Sequence, residues 1–531
     1  MSRKSVVTVC ALVAFVLLLY APSLGRAPIY LAHDEVFVAL NAHSIASTGR
    51  DVNGRMLPLY FQMYPDVSNN IWFQPMIMYF TALFLKLRPV SEAAIRWPSV
   101  CIGIADVVLL YFLAKRILHR ERLAVVAAVL LALTPAHFIH SRVAMDYLYP
   151  VPFVIAWLLC LLAFVERRQR WLLFAATALL GIGFYSYIAA VVMMPLYFML
   201  TCLTLFMLCE RPKPLYLVAA AGFVLPLLLL IPWFLNHPTA VAQTAQRYDL
   251  VDKGLHPFLS ASSAEIPGLG RRLNFGDLTG RVSLYWCFLD PSYLFLRGGG
   301  NPVNSTQRAG VFLLPVAAFL LVGVNEILNT RRTWVHTLLL LGFLSAPLAA
   351  CLVPEPYAID RELEVLPFGV LIATIGVERL LSARPTVWRA AAIVLLALMP
   401  IQFAYFYVDY FTDYRARSAA WFERNIRGAV EEMIDRDHLD HAPAFYFSKR
   451  VPYIDWYWHL YLIKHGHEDL LARSTNIDAT DLDVTTVAPG SELLMEAGDA
   501  HTDTWVRAGA FRIVRIITEP RDPPSFAILQ R

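Results

Sequence analysis

Long apolar runs joined by short basic connections fill the chain through residue 408, and no other feature limits its possible folds so tightly. The first run, "VVTVCALVAFVLLLYA", follows a basic start. A helix needs about 20 apolar residues to cross the hydrocarbon of a bilayer. Candidate spans on that criterion fall near 5–21, 97–115, 123–140, 147–165, 171–187, 189–209, 215–235, 309–329, 334–353, 363–383 and 388–408, about eleven in all. Their connections "AKRILHRER", "ERRQR", "ERPKP", "NTRRT" and "SARPTVWR" are short and rich in Arg or Lys. They therefore read as cytoplasmic loops, with the N-terminus inside and, for an odd number of spans, the C-terminus outside. The first segment also has the outline of a secretory signal with cleavage near 23–27, but its length suits an uncleaved span.

Composition agrees with a polytopic membrane protein: 58% of residues are hydrophobic, 16% are charged, and the mean hydropathy is +0.52. The net charge of +4 is small and sorted by membrane side, so it gives no basic footprint for nucleic acid. Of seven cysteines only Cys287 lies outside the apolar runs, and no CxxC motif or disulfide framework is present.

One apolar segment, "IWFQPMIMYFTALFLKL" at 71–87, is not counted as a crossing, because counting it would turn every later basic loop outward. It reads as a helix lying in the outer interface. The outer face then receives a first loop from 22 to 96, the turn "HSRVAMD", a loop from 236 to 308, "VPEPYAIDRELE", and everything after about 409. Residues 442–531 lose the long apolar runs and show short alternating stretches such as "GAFRIVRIIT". The expected architecture is an all-α membrane domain over 1–410 and a small exterior α/β domain over 411–531.

Chemistry is expected on that outer side. The first loop begins "HDEVFVALNAHSI", and Asp34 is a candidate base: a carboxylate at a partly dehydrated interface beside another acid is expected to gain proton affinity. The same acids equally suit the first turn of a helix, where they complement its dipole. In "HFIHSRVAMDYLYP", His137, His140, Arg142 and Asp146 cluster at a predicted outer end, as a second wall of a cleft or as interfacial anchors. By spacing, His33, His137, His140 and the acids could hold a divalent metal, yet no HExxH or comparable ligand spacing occurs, so no metal or other cofactor is assigned. Arg96, Arg308 and Arg361 each stand at a span boundary, placed either to anchor a helix end or to meet a phosphate at the membrane surface. Asp106, within a span, must be paired or neutral, and the sequence names no partner for it.

These stretches together resemble the polyprenyl-phosphate-sugar-dependent membrane glycosyltransferases of the GT-C fold. The branch is glycosyltransferase family 39, which holds the protein O-mannosyltransferases and the aminoarabinose transferase of lipid A. "HDEVFVALNAHSIASTGR" is similar to its first outer loop with the Asp-Glu motif, and "WFQPMIMYF" to its juxtamembrane helix. "LALTPAHFIHSRVAMDYLYP", "FLDPSYLFLRGGGNPVNSTQRAG" and "DRELEVLPFGVLIATIGVERL" resemble later parts, so the likeness runs in order from about 6 to 410.

The resemblance implies that Asp34 is the catalytic base, that Glu35 shapes the acceptor site, that Arg96 faces the donor phosphate, and that Asp146 lines the same cavity. A departure is Gln74 before Pro75, where the aminoarabinose branch has a lysine; Arg96, Arg142, Arg308 or Arg361 would then supply the missing charge. The implied partners are a polyprenyl-phosphate sugar, a glycan, lipid or protein acceptor, and membrane lipids. The implied location is the cell's inner (plasma) membrane, and the implied reaction a single inverting displacement on its extracytoplasmic side. A transporter or flippase of lipid-linked saccharides is the rival reading, and an oligosaccharyltransferase stands third because its WWD-type motif is missing.

Overall fold

The computed structural model describes residues 3–63, 71–208, 213–247, 275–353, 355–521 and 523–531. Its helices, in order, are α1 (Arg3–Tyr20), α2 (His33–Thr48), α3 (Pro75–Leu87), α4 (Glu92–Leu118), α5 (Glu121–Ala132), α6 (Pro135–His140), α7 (Val151–Arg167), α8 (Arg170–Gly183), α9 (Ala190–Leu208), α10 (Lys213–Leu227) and α11 (Leu230–Asn236). There follow α12 (Ala240–Arg247), α13 (Phe275–Cys287), α14 (Leu314–Asn329), α15 (Trp334–Ser345), α16 (Pro347–Ala350), α17 (Val365–Leu381) and α18 (Thr386–Phe411). Each stretch expected to span falls on one of these helices or on a broken pair, and the molecule is a multi-pass membrane protein.

The count of about eleven full-length spans is not reproduced. Among the described residues five helical segments are long and apolar enough, Arg3–Tyr20, Glu92–Leu118, Asp146–Arg167, Ala190–Leu208 and Thr386–Phe411, and a sixth if α10 and α11, bent by 43°, act as one. Proline explains several shortfalls. It removes a backbone donor and disfavours helical geometry in the residue before it. The stretch at 123–140 breaks ahead of Pro135, the one at 334–353 ahead of Pro347, and α10 ends just after Pro226. α3 has 13 residues, roughly 20 Å at 1.5 Å per residue, too short to cross and consistent with an interfacial position. Part of the predicted outer loop, 248–274, lies outside the described residues.

The chain divides into two compact units. The first comprises Met1–Pro22, Leu57–Ile77 and Ser99–Val408. At its centre is α17, whose residues from Val365 to Glu378 are all buried, as expected of a helix apolar on every side. It packs on α14 through small residues: a Cβ on Gly376 would stand 1.9 Å from the Phe319 carbonyl, and one on Gly323 would stand 2.0 Å from that of Ile372. Arginines tie the ends of these helices, with Arg331 2.7 Å from Glu378 and Arg379 3.0 Å from Glu326. Asp106 finds its partner here, since its Oδ2 lies 3.3 Å from Nε2 of His137, whose Nδ1 meets the Tyr20 hydroxyl at 2.7 Å. That hydroxyl donates to the Ala132 carbonyl at 2.9 Å, so Nδ1–H donates to its oxygen and a single proton is shared between Nε2 and Asp106. The pair adds no net charge to the span.

The second unit joins Ser23–Met56 and Met78–Pro98 to Asp409–Arg531. Two parts of the first loop thus fold with the C-terminal region, whereas the sequence placed the tail from 411 onward by itself. Within the tail lie α19 (Asp413–Ser418), α20 (Ile426–Asp440), α21 (Ile454–His465) and α22 (Ala500–Arg507). Counting after the short pair β1 (Phe61–Gln62) and β2 (Trp72–Phe73) of the first unit, its strands are β3 (Phe445–Ser448), β4 (Ser474–Ile477), β5 (Glu492–Glu496), β6 (Arg512–Thr518) and β7 (Pro524–Gln530). They form one sheet in the order β4-β3-β5-β7-β6, with β3 parallel to both neighbours and β7 antiparallel to β5 and β6. Leu493, Met495 and Leu529 pack with Trp505 and Phe511 on one face. Asn425 caps α20 by accepting from the Gly428 amide at 2.9 Å.

Candidate functional site

The Asp-Glu pair opens α2, so its two carboxylates begin a helix and diverge. Glu35 is fully buried, and its Oε2 accepts from the Ala32 amide at 3.1 Å, closing one half of a capping box. Both of its oxygens also accept from Arg96, Oε1 from Nε at 2.8 Å and Oε2 from Nη2 at 2.9 Å. The remaining donors of Arg96 reach the carbonyls of Leu24 and Pro28, each at 2.9 Å, and of Tyr30 at 2.6 Å. A guanidinium has five N–H donors. All five are therefore committed, and the expected contact between Arg96 and a donor phosphate gives way to a holding role. Arg96 pins the strand of chain leading into α2 and ties Glu35 to it.

Asp34, by contrast, keeps 23% of its side-chain surface, and its Oδ1 lies 3.4 Å from Nε2 of His33. The other ring nitrogen of His33, Nδ1, meets Oε1 of Glu423 at 2.8 Å. The ring stacks on Tyr453 with centroids 4.2 Å apart and planes 7° from parallel. Burial works to lower the proton affinity of His33, but the hydrogen bond it donates to Glu423 and the charges of Asp34 and Glu423 outweigh it and hold the imidazole above its usual 6.5. Nearby, the Tyr457 hydroxyl donates to the Leu31 carbonyl at 2.6 Å. Glu92, at the start of α4, meets Lys464 at 2.9 Å and Arg427 at 3.3 Å. Sequence reasoning missed Glu423, Tyr453 and Lys464, because no local pattern links residues some 390 positions apart.

In the first unit, Asp146 is 1% exposed and opens a short 3₁₀ turn, Asp146–Leu148. Arg142 is wholly buried and donates to the carbonyls of Tyr20 and Pro22, closing the end of α1. His137 is engaged by Asp106 and Tyr20, and Nδ1 of His140 faces the Ala136 carbonyl at 2.7 Å. Among the described residues no three His, Cys, Asp or Glu side chains are grouped to hold a metal. The turn at 137–146 is buried, as is Tyr149 just after it, at 2% exposure.

Arg361 borders an apolar groove lined by Ile188, Val191, Val192, Ala349 and Leu352. Its guanidinium lies 3.6 Å from Glu355 and 3.8 Å from Asp360, and 18% of its side chain is exposed. Burial raises the proton affinity of Asp360 despite the Arg361 charge, and raises that of Glu362 much further. Glu362 accepts from the Tyr293 hydroxyl. Arg308 is exposed. Next to it, the stretch "DPSYLFLRGGGNPVNSTQ" forms a polar cleft of about 610 Å³ lined by Asp290, Tyr293, Arg297, Gln307, Tyr357 and the glycines at 298–300. The structure thus gathers Asp34, Glu35 and Arg96 in one unit, and Arg142, Asp146, Arg308 and Arg361 in the other.

Residues 74–233 match a family model described as dolichyl-phosphate-mannose-protein mannosyltransferase. No curated protein sequence matches the chain. Its fold is similar to that of ArnT from Cupriavidus metallidurans bound to undecaprenyl phosphate, at 14% identity and TM-score 0.59, covering 99% of this chain and 98% of the other. It is also similar to the oligosaccharyltransferase AglB from Archaeoglobus fulgidus in complex with an inhibitory peptide and a dolichol-phosphate, at 14% identity and TM-score 0.50, covering 88% and 64%. The chain has the GT-C fold.

Proposed function

We propose that the protein is an integral membrane glycosyltransferase that moves a sugar from a polyprenyl-phosphate donor to a hydroxyl or amine acceptor on the extracytoplasmic side of the inner membrane. The observation that carries this reading is the divergence of the Asp-Glu pair: Glu35 is locked to Arg96 at the start of α2, while Asp34 is half-buried beside His33 with part of its carboxylate open to solvent. The fold shared with a protein bound to undecaprenyl phosphate and with one holding a dolichol-phosphate supports the class of donor.

In this reading Asp34 draws the proton from the acceptor as it attacks the anomeric carbon, and the sugar inverts. Negative charge then grows on the departing lipid phosphate, where a fixed cation lowers the barrier. Of the candidate arginines, Arg361 is the one that borders an apolar groove. Arg308 is the second candidate. Arg96 and Arg142 position backbone, and Asp146 shapes the interior of its own unit. A lipid phosphate leaving without a nucleotide needs no divalent cation for its charge, so turnover is expected to survive chelation. The transporter reading loses its one mid-span residue, since Asp106 is occupied by His137. Incubating the purified protein with a polyprenyl-phosphate hexose and an envelope extract tests the proposal. Release of free polyprenyl phosphate with labelled sugar on an acceptor supports it, and an unconsumed donor across sugars and acceptors overturns it.

A further inference from the structure

The proposed base does not stand alone. His33 lies between two carboxylates, with Nε2 towards Asp34 at 3.4 Å and Nδ1 on Glu423 at 2.8 Å. Its plane is fixed by the stack on Tyr453, a residue in the left-handed region at φ 53° that begins α21. Glu423 and Arg424 are also left-handed, at φ 58° and 59°. Consecutive non-glycine residues in that region are costly and persist where surrounding structure imposes them, often at functional sites. Here the turn delivers Glu423 to the histidine. The charged groups that act on this ring are Asp34 and Glu423. Close by, Glu35 is paired with Arg96, and the Tyr457 hydroxyl donates to the Leu31 carbonyl. Arg424 turns to Glu496 at 3.5 Å.

Resting on the reading of Asp34 as base, we infer that His33 and Glu423 form a relay that takes the acceptor's proton on from Asp34, so that the C-terminal region supplies part of the catalytic apparatus. With Nδ1–H donating to Glu423, the free lone pair of neutral His33 is on Nε2, on the side of Asp34. As the acceptor atom bonds to the anomeric carbon, the carbon–oxygen bond to the lipid phosphate breaks and its electron pair leaves with the phosphate. The acceptor's proton passes to Asp34 and then to Nε2. The resulting imidazolium is balanced by Glu423 and, with 29% of its side chain exposed, returns the proton to water. His33 and Glu423 act through Asp34, so both are positioning residues.

The relay works only while His33 is neutral, so the rate must rise with pH as His33 loses its proton. In the wild type this acid limb belongs above pH 6.5, since the two carboxylates favour the imidazolium. Glu423→Gln keeps an acceptor oxygen but removes a charge: the limb moves down by about one pH unit and the plateau falls by about tenfold. His33→Asn abolishes the limb in the neutral range and lowers the plateau at least as far. In parallel, the ¹³C shifts of labelled histidine in the detergent-solubilised full chain, assigned through His33→Asn, give the His33 titration directly, and Glu423→Gln must lower it. A limb unmoved in both variants, or a His33 titration indifferent to Glu423, overturns the relay. If Asp34→Asn retains turnover, the reading of the site itself falls, which the histidine titration does not touch. Equal melting temperatures for wild type and Glu423→Gln exclude a folding effect.

Discussion

Glu35 has both oxygens on Arg96 inside the protein, whereas Asp34, one residue earlier, faces a histidine and solvent. The contrast follows from helix geometry, because successive side chains leave the axis in different directions. It separates a carboxylate that holds the helix from one that meets His33 and solvent. Arg96→Ala strands a buried carboxylate and three backbone carbonyls, so a loss of about 3–5 kcal/mol is expected, read as a lower melting temperature in detergent. Arg361→Gln should melt like the wild type but bind polyprenyl phosphate about tenfold more weakly in a titration, the usual worth of one charge-assisted contact. That Asp34 and Glu35 deserved attention was legible in "HDEVFVAL". The employment of Arg96 was not, because its partners at 24, 28, 30 and 35 are assembled by tertiary packing.

At the level of elements, the packing of α14 on α17 rests on two glycines whose missing side chains admit a neighbouring backbone. Gly376→Leu must push the helices apart, and overpacking of this kind costs about 1–3 kcal/mol or more, visible as a lower melting temperature with loss of folded yield. The start of α4 is tied to α20 through Arg427 and to α21 through Lys464. Burial acts to raise the proton affinity of Glu92, but Lys464 and Arg427 more than reverse it, leaving the group below its usual 4.5. A depressed carboxylate stabilises the fold fully above its unfolded value, and that stability is lost as pH falls through the folded one. Acid unfolding below about pH 4.5 is therefore expected to be less steep in Glu92→Gln than in the wild type. Hydropathy located these helices, but their breaks were legible only in Pro135, Pro226 and Pro347, which a window average smooths over.

For the whole molecule, the sequence carried the class of protein, the alternation of basic loops and the strands of the tail, because each is written locally in hydropathy or charge. It did not carry the joining of 23–56 and 78–98 to 409–531, nor the encounter of His33 with Glu423, since both depend on contacts between distant segments. Sidedness remains a prediction of the basic loops. A cysteine introduced at Asn53 should react in intact cells with a membrane-impermeant maleimide, and one at Arg332 should react only after permeabilisation. The central claim is that Asp34 is the base for transfer from a lipid-phosphate sugar. It is tested most directly by single-turnover transfer from a radiolabelled polyprenyl-phosphate hexose in proteoliposomes, comparing wild type with Asp34→Asn of equal melting temperature. The account predicts a fall in rate of at least about a hundredfold with donor binding retained. Transfer by Asp34→Asn at the wild-type rate would contradict it.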